Sequence, residues 1–463
     1  MNESFGMPTD SKGFPTPRAV RFGRLRKPRI WFEVDNLLTF LHNIGYPTGI
    51  QRVCIELLTA AYQEFGSRVQ VCRFNDVQFS CERLEFAELL SELHSFGSAN
   101  DNVARRRWLR PKFVQKLADY VRAIRDWWRP PTFENWVAPG DIMVCLTSPL
   151  QSYRYADDVR IIKRCYQMKF AMFVHDIMPI THPQWFPDDL AMKFRKALDD
   201  ALSLSDMMVT SSEYNCTEIG AHCDRHQLQM PPIKTVRFGD GFSGNAAFPD
   251  ERQLKLPDEF VLFVSTIEVR KNHAFLLRVW KRLIERYGSD AVPCLVFFGG
   301  MGWKLDEFVE ELKSSRDLGS KIVVLSGFSD AALREAYQRC MFTVYASLGE
   351  GWGLPVAEGL AAGRFCVCSN RLSLPQIGGD LIDYFDPTDE QDALAKLERA
   401  IFDRKYRDAR TARIIADYRP TSWRDCARSL VASLRTYDAE QKAAKLGGTT
   451  TRGSRATVHG LGG

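Results

Sequence analysis

The chain of 463 residues has no apolar run approaching the ~18 residues that a membrane-crossing helix needs. It begins Met1-Asn2-Glu3-Ser4, with no basic stretch leading into an apolar one, so a secretion signal is not expected either. Charge of one sign is scarce. The 62 Lys and Arg against 57 Asp and Glu leave a formal charge of +5, too small an excess for a dedicated nucleic-acid binder. Twelve Cys are present but no two are spaced as Cys-x-x-Cys. Cys145, Cys294, Cys340, Cys366 and Cys368 sit inside apolar runs, as the reduced, buried thiols of a cytoplasmic protein would. His222, Cys223 and His226 lack a further ligand cluster and read as helix surface rather than a metal site. Also missing are a Gly-x4-Gly-Lys-Ser/Thr loop, a Gly-x-Gly-x-x-Gly after the first strand, and any Asp-x-Asp pair. Kinase, dehydrogenase and metal-dependent single-domain transferase readings lose support accordingly.

What is present is an ordinary globular composition, 45% hydrophobic and 26% charged. Residues 1–29 hold seven Lys/Arg with little apolar periodicity, the pattern of a flexible basic arm. Between that arm and a Gly- and Thr-rich end, short apolar runs alternate with helical stretches, the signature of parallel sheets built from βαβ units. In the first half the runs are 30–34, 69–74, 142–146, 170–174 and 207–210; in the second they are 260–265, 294–298, 322–325, 342–345 and 365–368. The expected architecture is α/β, two Rossmann-like doubly wound domains facing a cleft. The boundaries implied are an N-terminal domain over 30–240, a linker over 241–257, a C-terminal domain over 258–420, a helix over 421–437 and a disordered tail over 438–463.

One insertion breaks the rhythm. Residues 105–129 carry nine Lys/Arg against two Asp, with Phe113, Leu117, Val121, Ile124 and Trp128 at helical spacing. Two readings stand side by side: a peripheral anchor on anionic lipid, and a helix docked on the domain's own core with a solvated basic face.

The segment most able to carry chemistry is Ser347-Leu348-Gly349-Glu350-Gly351-Trp352-Gly353-Leu354-Pro355, which follows an apolar strand and opens a helix. Pro355 suits the first turn of that helix and Gly363 its end. Glycines at alternate positions let the backbone approach a ligand, and the helix start offers unpaired N–H groups to an anion such as phosphate. Glu350 on the loop and Glu358 one turn into the helix present two carboxylates to the same guest, good acceptors for sugar hydroxyls. Tight-turn glycines with solvated carboxylates are the bland reading of such a pair; the combination of strand, glycine loop, proline and helix start favours a ligand site. Arg270 and Lys271 fall at the C-terminal end of the second domain's first strand, where open α/β sheets bind ligands, and adjacent cations suit a diphosphate leaving group. In the first domain His175-Asp176 closes an apolar strand at the cleft edge, where His175 either assists proton transfer or bonds a loop carbonyl. Gly49, in Thr48-Gly49-Ile50-Gln51-Arg52, either admits a close backbone approach or simply starts a helix.

Arg270-Lys271-Asn272, the stretch Gly327-Phe328-Ser329-Asp330 and the Glu350 to Glu358 segment together resemble the retaining group 1 (family 4) glycosyltransferases of the GT-B fold. Thr48 to Arg52 and His175 to Pro179 resemble the subset that builds bacterial surface polysaccharides. The resemblance spans about residues 30–435; Trp352, where many relatives carry Phe, and Gly363-Arg364, where Gly-x-Pro is commoner, depart from it. It implies that Arg270 and Lys271 hold the donor diphosphate, Glu358 the ribose hydroxyls and Glu350 the transferred sugar. By the same resemblance Gly351, Gly353 and Leu354 bind sugar and phosphate through their amides, and Phe328 lies near the nucleobase. Gly49, His175 and Asp176 would line the acceptor side, with Glu350, Arg270, Lys271 and His175 as the catalytic set. It further implies a nucleotide-sugar as co-substrate with no metal or other cofactor, and retention without an enzymic nucleophile. GDP-mannose is favoured over GDP-fucose, UDP-hexose or dTDP-rhamnose, and the acceptor would be a polyprenyl-diphosphate-linked oligosaccharide at the cytoplasmic face of a membrane. A non-catalytic nucleotide-sugar-binding scaffold is the reading from a different class, and a phosphorylase is a further one, for which no pyridoxal phosphate lysine motif is found.

Overall fold

The computed structural model describes residues 26–44, 47–75, 80–95, 133, 136–148, 154–241, 254–314, 318 and 321–450. The 105–129 segment and most of the expected linker lie outside them.

The first domain is a seven-stranded sheet. Its strands are β1 (Ile30–Glu33), β2 (Val69–Asn75), β3 (Ser80–Leu84), β4 (Ile142–Cys145), β5 (Lys169–Val174), β6 (Met207–Thr210) and β7 (Ile233–Thr235). Their spatial order is β3-β2-β1-β4-β5-β6-β7, parallel except for β3. The second domain is a six-stranded sheet of β8 (Phe260–Val264), β9 (Cys294–Phe298), β10 (Ile322–Leu325), β11 (Phe342–Tyr345), β12 (Cys366–Ser369) and β13 (Asp383–Phe385). It runs β10-β9-β8-β11-β12-β13 and is parallel throughout. In both sheets the order reverses beside the first strand (β1/β4 and β8/β11), which is where ligand crevices open in doubly wound folds.

The central strands are buried on both faces because helices cover both, so they read as continuous apolar runs: β1, β4, β6 and β11 are buried along their whole length. The three strands that the hydrophobic runs did not reveal, β3, β7 and β13, are all edge strands of polar or mixed sequence. An edge strand buries less and tolerates polar residues, so it gives no apolar run.

Both ends differ from the expected tails. Arg26 pairs with Asp141 at 2.6 Å and the Arg29 amide donates to the same carboxylate at 2.8 Å, so the described end of the arm is fastened to the first sheet. The last helix runs from Trp423 to Thr450 rather than stopping at 437. Residues 439–446 are rich in Ala, Glu, Gln, Lys and Leu, which continue a helix without needing to bury a core. This helix returns across the second domain's boundary to pack along the Gly49–Phe65 helix, with Arg428 donating to Glu64 at 2.8 Å, and Asp438 meets Lys169 of the first domain at 2.8 Å. All twelve Cys are free thiols. His222 bonds Asp199 at 2.9 Å, a structural role for the His-Cys-x-x-His segment.

Candidate functional site

Three loops meet where the C-terminal edges of the two sheets face each other. After β8 the chain makes a short 3-10 turn, Val269–Lys271, ended by Asn272 in the left-handed region (φ 65°), and the His273–Tyr287 helix follows. Asn is among the few residues that adopt this conformation at low cost. The turn aims Arg270 and Lys271 at the glycine loop that follows β11. Leu354 and Pro355 then open the Leu354–Ala361 helix, and Gly363 (φ 71°) follows its end, as the sequence pattern predicts.

Glu350 is the centre of the cluster. Its carboxylate accepts from Lys271 Nζ at 2.6 Å and Tyr345 Oη at 3.0 Å on Oε1, and meets Arg270 at 2.9 Å on Oε2. Lys271 also donates to Tyr345 Oη at 3.0 Å, and Arg270 donates to the Gly349 carbonyl at 2.6 Å and to Glu268 at 2.7 Å. Burial alone would raise the Glu350 pKa, but the charges of Arg270 and Lys271 and the Lys271 hydrogen bond overcome it and hold it at about 2. The same burial lowers the Lys271 pKa, reinforced by Arg270. Burial opposes the Arg270 charge as well, yet Glu350, Glu268 and Asp176 raise its pKa. Lys271 and Glu350 are 9% and 7% exposed. They are therefore buried ion-pair partners, where their place on loops after apolar strands predicts residues outside the core. Buried within this cluster, the Arg270 Nε–H has no partner among the described residues.

The glycine loop is docked on the first domain. The Gly351 carbonyl accepts from Ser211 Oγ at 3.2 Å, Ser212 Oγ at 2.9 Å and Asn215 Nδ2 at 2.8 Å. A Cβ on Gly351 would lie 2.4 Å from the His175 carbonyl and 2.9 Å from Asp176 Cβ, so only glycine fits here. Gly353 holds φ 113°, and Ser373 Oγ donates to the Glu350 and Trp352 carbonyls at 2.7 and 2.9 Å, bracing the loop from behind.

His175 sits opposite, half-buried, with Nε2 2.8 Å from the Leu146 carbonyl; desolvation lowers its pKa to about 4, so the ring is neutral near pH 7. Its hydrogen bond to a loop carbonyl is the structural alternative raised by the sequence, realised here beside the glycine loop. Asp176 accepts the Met178 amide at 3.0 Å, and burial raises its pKa against the opposing charge of Arg270. Glu358 is buried, accepts Tyr337 Oη at 3.0 Å and forms an ion pair with Arg52 of the first domain. Phe328 lies against Phe298, with ring centroids 5.9 Å apart. Gly49 begins the Gly49–Phe65 helix, and a Cβ there would meet no protein atom within 4 Å.

The cluster thus gathers Glu350, Arg270 and Lys271 beside Gly351, with His175 and Asp176 against Gly351 across the domain boundary. Sequence reasoning missed Tyr345, Ser211, Ser212 and Asn215. Ser212 is the side-chain cap of the Glu213–His226 helix, and its Ser-x-x-Asn spacing at a strand end was the available signal.

Two facing parallel α/β domains make up the GT-B fold. The solved structures bear this out. The structure of Anabaena Alr3699/HepE in complex with UDP and glucose superposes with a TM-score of 0.56 at 14% identity, covering 88% of this chain and 100% of that one. Sucrose-phosphate synthase from Thermosynechococcus elongatus gives 0.56 at 14% identity, covering 89% and 100%. Residues 246–415 match the family model described as glycosyl transferases group 1, and this second domain belongs to that group. Among curated relatives, an O-antigen chain mannosyltransferase B of Escherichia coli is 28% identical over 260 residues, 56% of this chain and 68% of that protein. A serotype-specific mannosyltransferase WbdA of Escherichia coli is 32% identical over 203 residues, 41% of this chain but 24% of that longer protein.

Proposed function

We propose that the protein transfers a sugar, mannose from GDP-mannose, with retained configuration to a polyprenyl-diphosphate-linked oligosaccharide in bacterial surface-polysaccharide synthesis. The buried Glu350–Lys271–Arg270 cluster, set at the domain boundary of a group 1 domain, carries this reading. The names of the two Escherichia coli relatives favour mannose.

In this reading the donor diphosphate is drawn to Arg270 and Lys271, and the buried Arg270 Nε–H is a donor suited to it. As the bond to the sugar breaks, the leaving oxygen gains negative charge, which these fixed cations stabilise without reorganising. Glu350 holds both cations in place and remains ionised down to about pH 2, ready to accept hydroxyls of the transferred sugar. With no nucleophile supplied by the protein, the acceptor attacks on the face the nucleotide leaves. The neutral His175 lies on the acceptor side. The protein's own cations do the charge neutralisation, so no metal or cofactor is required; transfer that vanishes in EDTA and returns with Mn²⁺ would contradict this.

Among the described residues no helix is long and apolar enough to cross a membrane. A lipid-linked acceptor would then be met by peripheral contact at the cytoplasmic face, for which the basic 105–129 segment is the candidate. Its attraction to anionic lipid is screened by salt. Changing Arg122, Arg125 and Arg129 to Glu should abolish sedimentation with anionic liposomes at low salt.

A donor screen on purified protein, reading nucleotide release with and without acceptor, tests the reaction. Release of GDP from GDP-mannose is expected; acceptor-independent silence with every donor would favour a binding scaffold instead.

A further inference from the structure

The Gly49–Phe65 helix belongs to the first domain, yet Arg52 in its first turn reaches into the second. Its guanidinium pairs with Glu358 and lies 3.9 Å from Asp330 Oδ1. Asp330 opens the helix after Gly327-Phe328-Ser329. Arg52 therefore stands between the carboxylate expected to take the ribose and the segment expected to flank the nucleobase. The Glu358 side chain is 1% exposed and that of Arg52 is 18% exposed. The group that covers Glu358 on the first-domain side is thus Arg52, while Tyr337 Oη holds its other oxygen at 3.0 Å.

A buried carboxylate left unpaired is costly, and this pair satisfies Glu358 while tying the two domains together. A ribose diol binds a carboxylate by donating to its oxygens, and Oε1 is the oxygen that Arg52 holds. With the Glu358 side chain only 1% exposed beneath Arg52, a ribose reaches Oε1 only where the guanidinium moves aside. We propose that Arg52 is a clasp that competes with the nucleotide ribose for Glu358: donor binding displaces it, and its return after transfer expels the nucleoside diphosphate product. This rests on the glycosyltransferase reading of the site and adds to it a residue from the acceptor-side domain that sets nucleotide release. No bond is made or broken by Arg52. It is a positioning residue acting through Glu358.

Competition fixes the direction of the effect, opposite to that of an ordinary ligand-binding arginine. Titration calorimetry with UDP, GDP and dTDP in turn identifies the nucleotide that the wild-type protein binds. Arg52→Gln should then bind that nucleotide at least ~5-fold tighter, in the range of ordinary coupling between sites. Steady-state turnover should fall with product inhibition enhanced, while a pre-steady-state burst of transfer persists. Arg52→Lys, which keeps the charge but loses the fork, should lie between the two and guards against a misfolded glutamine variant. In a Glu358→Gln background the Arg52→Gln change should no longer tighten binding, since the competition is then gone. Unchanged or weaker binding in a variant with wild-type melting would overturn the clasp, as would the same tightening in the Glu358→Gln background. Failure of the wild-type protein to bind any nucleoside diphosphate would overturn the glycosyltransferase reading itself.

Discussion

The side-chain amide of Asn215 donates at once to the His175 carbonyl, at 2.6 Å, and to the Gly351 carbonyl, at 2.8 Å. One buried residue of the first domain thereby sets the distance between the end of β5 and the glycine loop of the second. Asn215→Ala removes both donors and leaves two carbonyls short of a partner, although Ser211 and Ser212 still serve Gly351. A loss of ~1 to 3 kcal/mol of stability is expected in urea melts. Transfer should fall further than that loss explains, because the loop's position is released.

Gly351→Ala tests the same contact from the other side. The added methyl would sit 2.4 Å from the His175 carbonyl, a backbone atom that cannot rotate away. The domains should separate, seen as a larger radius of gyration in solution scattering, with transfer lost and each domain still folded. A scattering curve identical to wild type with normal turnover would show that this closed arrangement is not the working one.

Lys271→Ala should slow transfer by at least ~100-fold, the usual cost of losing one group that stabilises a developing negative charge. Because Glu350 is buried between two cations, Glu350→Ala should also destabilise the fold, by ~3 to 5 kcal/mol, since it strands charges inside the protein. Glu350→Gln keeps the shape and some hydrogen bonds and should melt closer to wild type while remaining inactive. Wild-type rates in Lys271→Ala or Glu350→Gln would end the assignment.

Acid should weaken the fold in two stages. His175 has a folded pKa of about 4 against 6.5 when free, so the unfolded chain binds the extra proton first. Its contribution is fully present above pH 6.5 and is lost as pH falls toward 4. Glu350, depressed from 4.5 to about 2, contributes above pH 4.5 and loses that contribution between there and 2. Denaturant midpoints between pH 7 and 4.5 should therefore decline, and decline less steeply in His175→Gln. An equal slope in both proteins would remove His175 from the acid response.

The two sheets were legible because their nine inner strands must be apolar on both faces, which writes continuous runs into the sequence; the edge strand β10 showed as well because its four residues, Ile322–Leu325, are all aliphatic. β3, β7 and β13 were not, for the opposite reason: an edge has one neighbour and admits residues such as Glu82, Lys234 and Asp383. At the site, Arg270, Lys271 and Glu350 declared themselves by position after buried strands. Their mutual pairing did not, because it depends on how far a loop folds back, and with it went the expectation that they lie outside the core. Asn215 and Arg52 were invisible as partners since each acts across the domain boundary, on residues 136 and 306 positions away.

The polypeptide passes between the domains twice, once near Gly241 and once at the start of the last helix, and both passages are fastened to Asp240. Its amide donates to the Thr421 carbonyl at 2.8 Å, while its carboxylate accepts from the Thr421 amide at 3.0 Å, Tyr418 Oη at 2.7 Å and Arg237 at 3.0 Å. Trp423 Nε1 donates to the Gly241 carbonyl at 3.0 Å beside them. Two crossings pinned side by side behave like a door hung on adjacent hinges. Sliding of one domain over the other would have to break these bonds, whereas a swing about Asp240 would keep them. Along such an arc, the parts farthest from the pivot move most for a given angle, so the mouth of the cleft opens widest while the residues at the pivot scarcely stir.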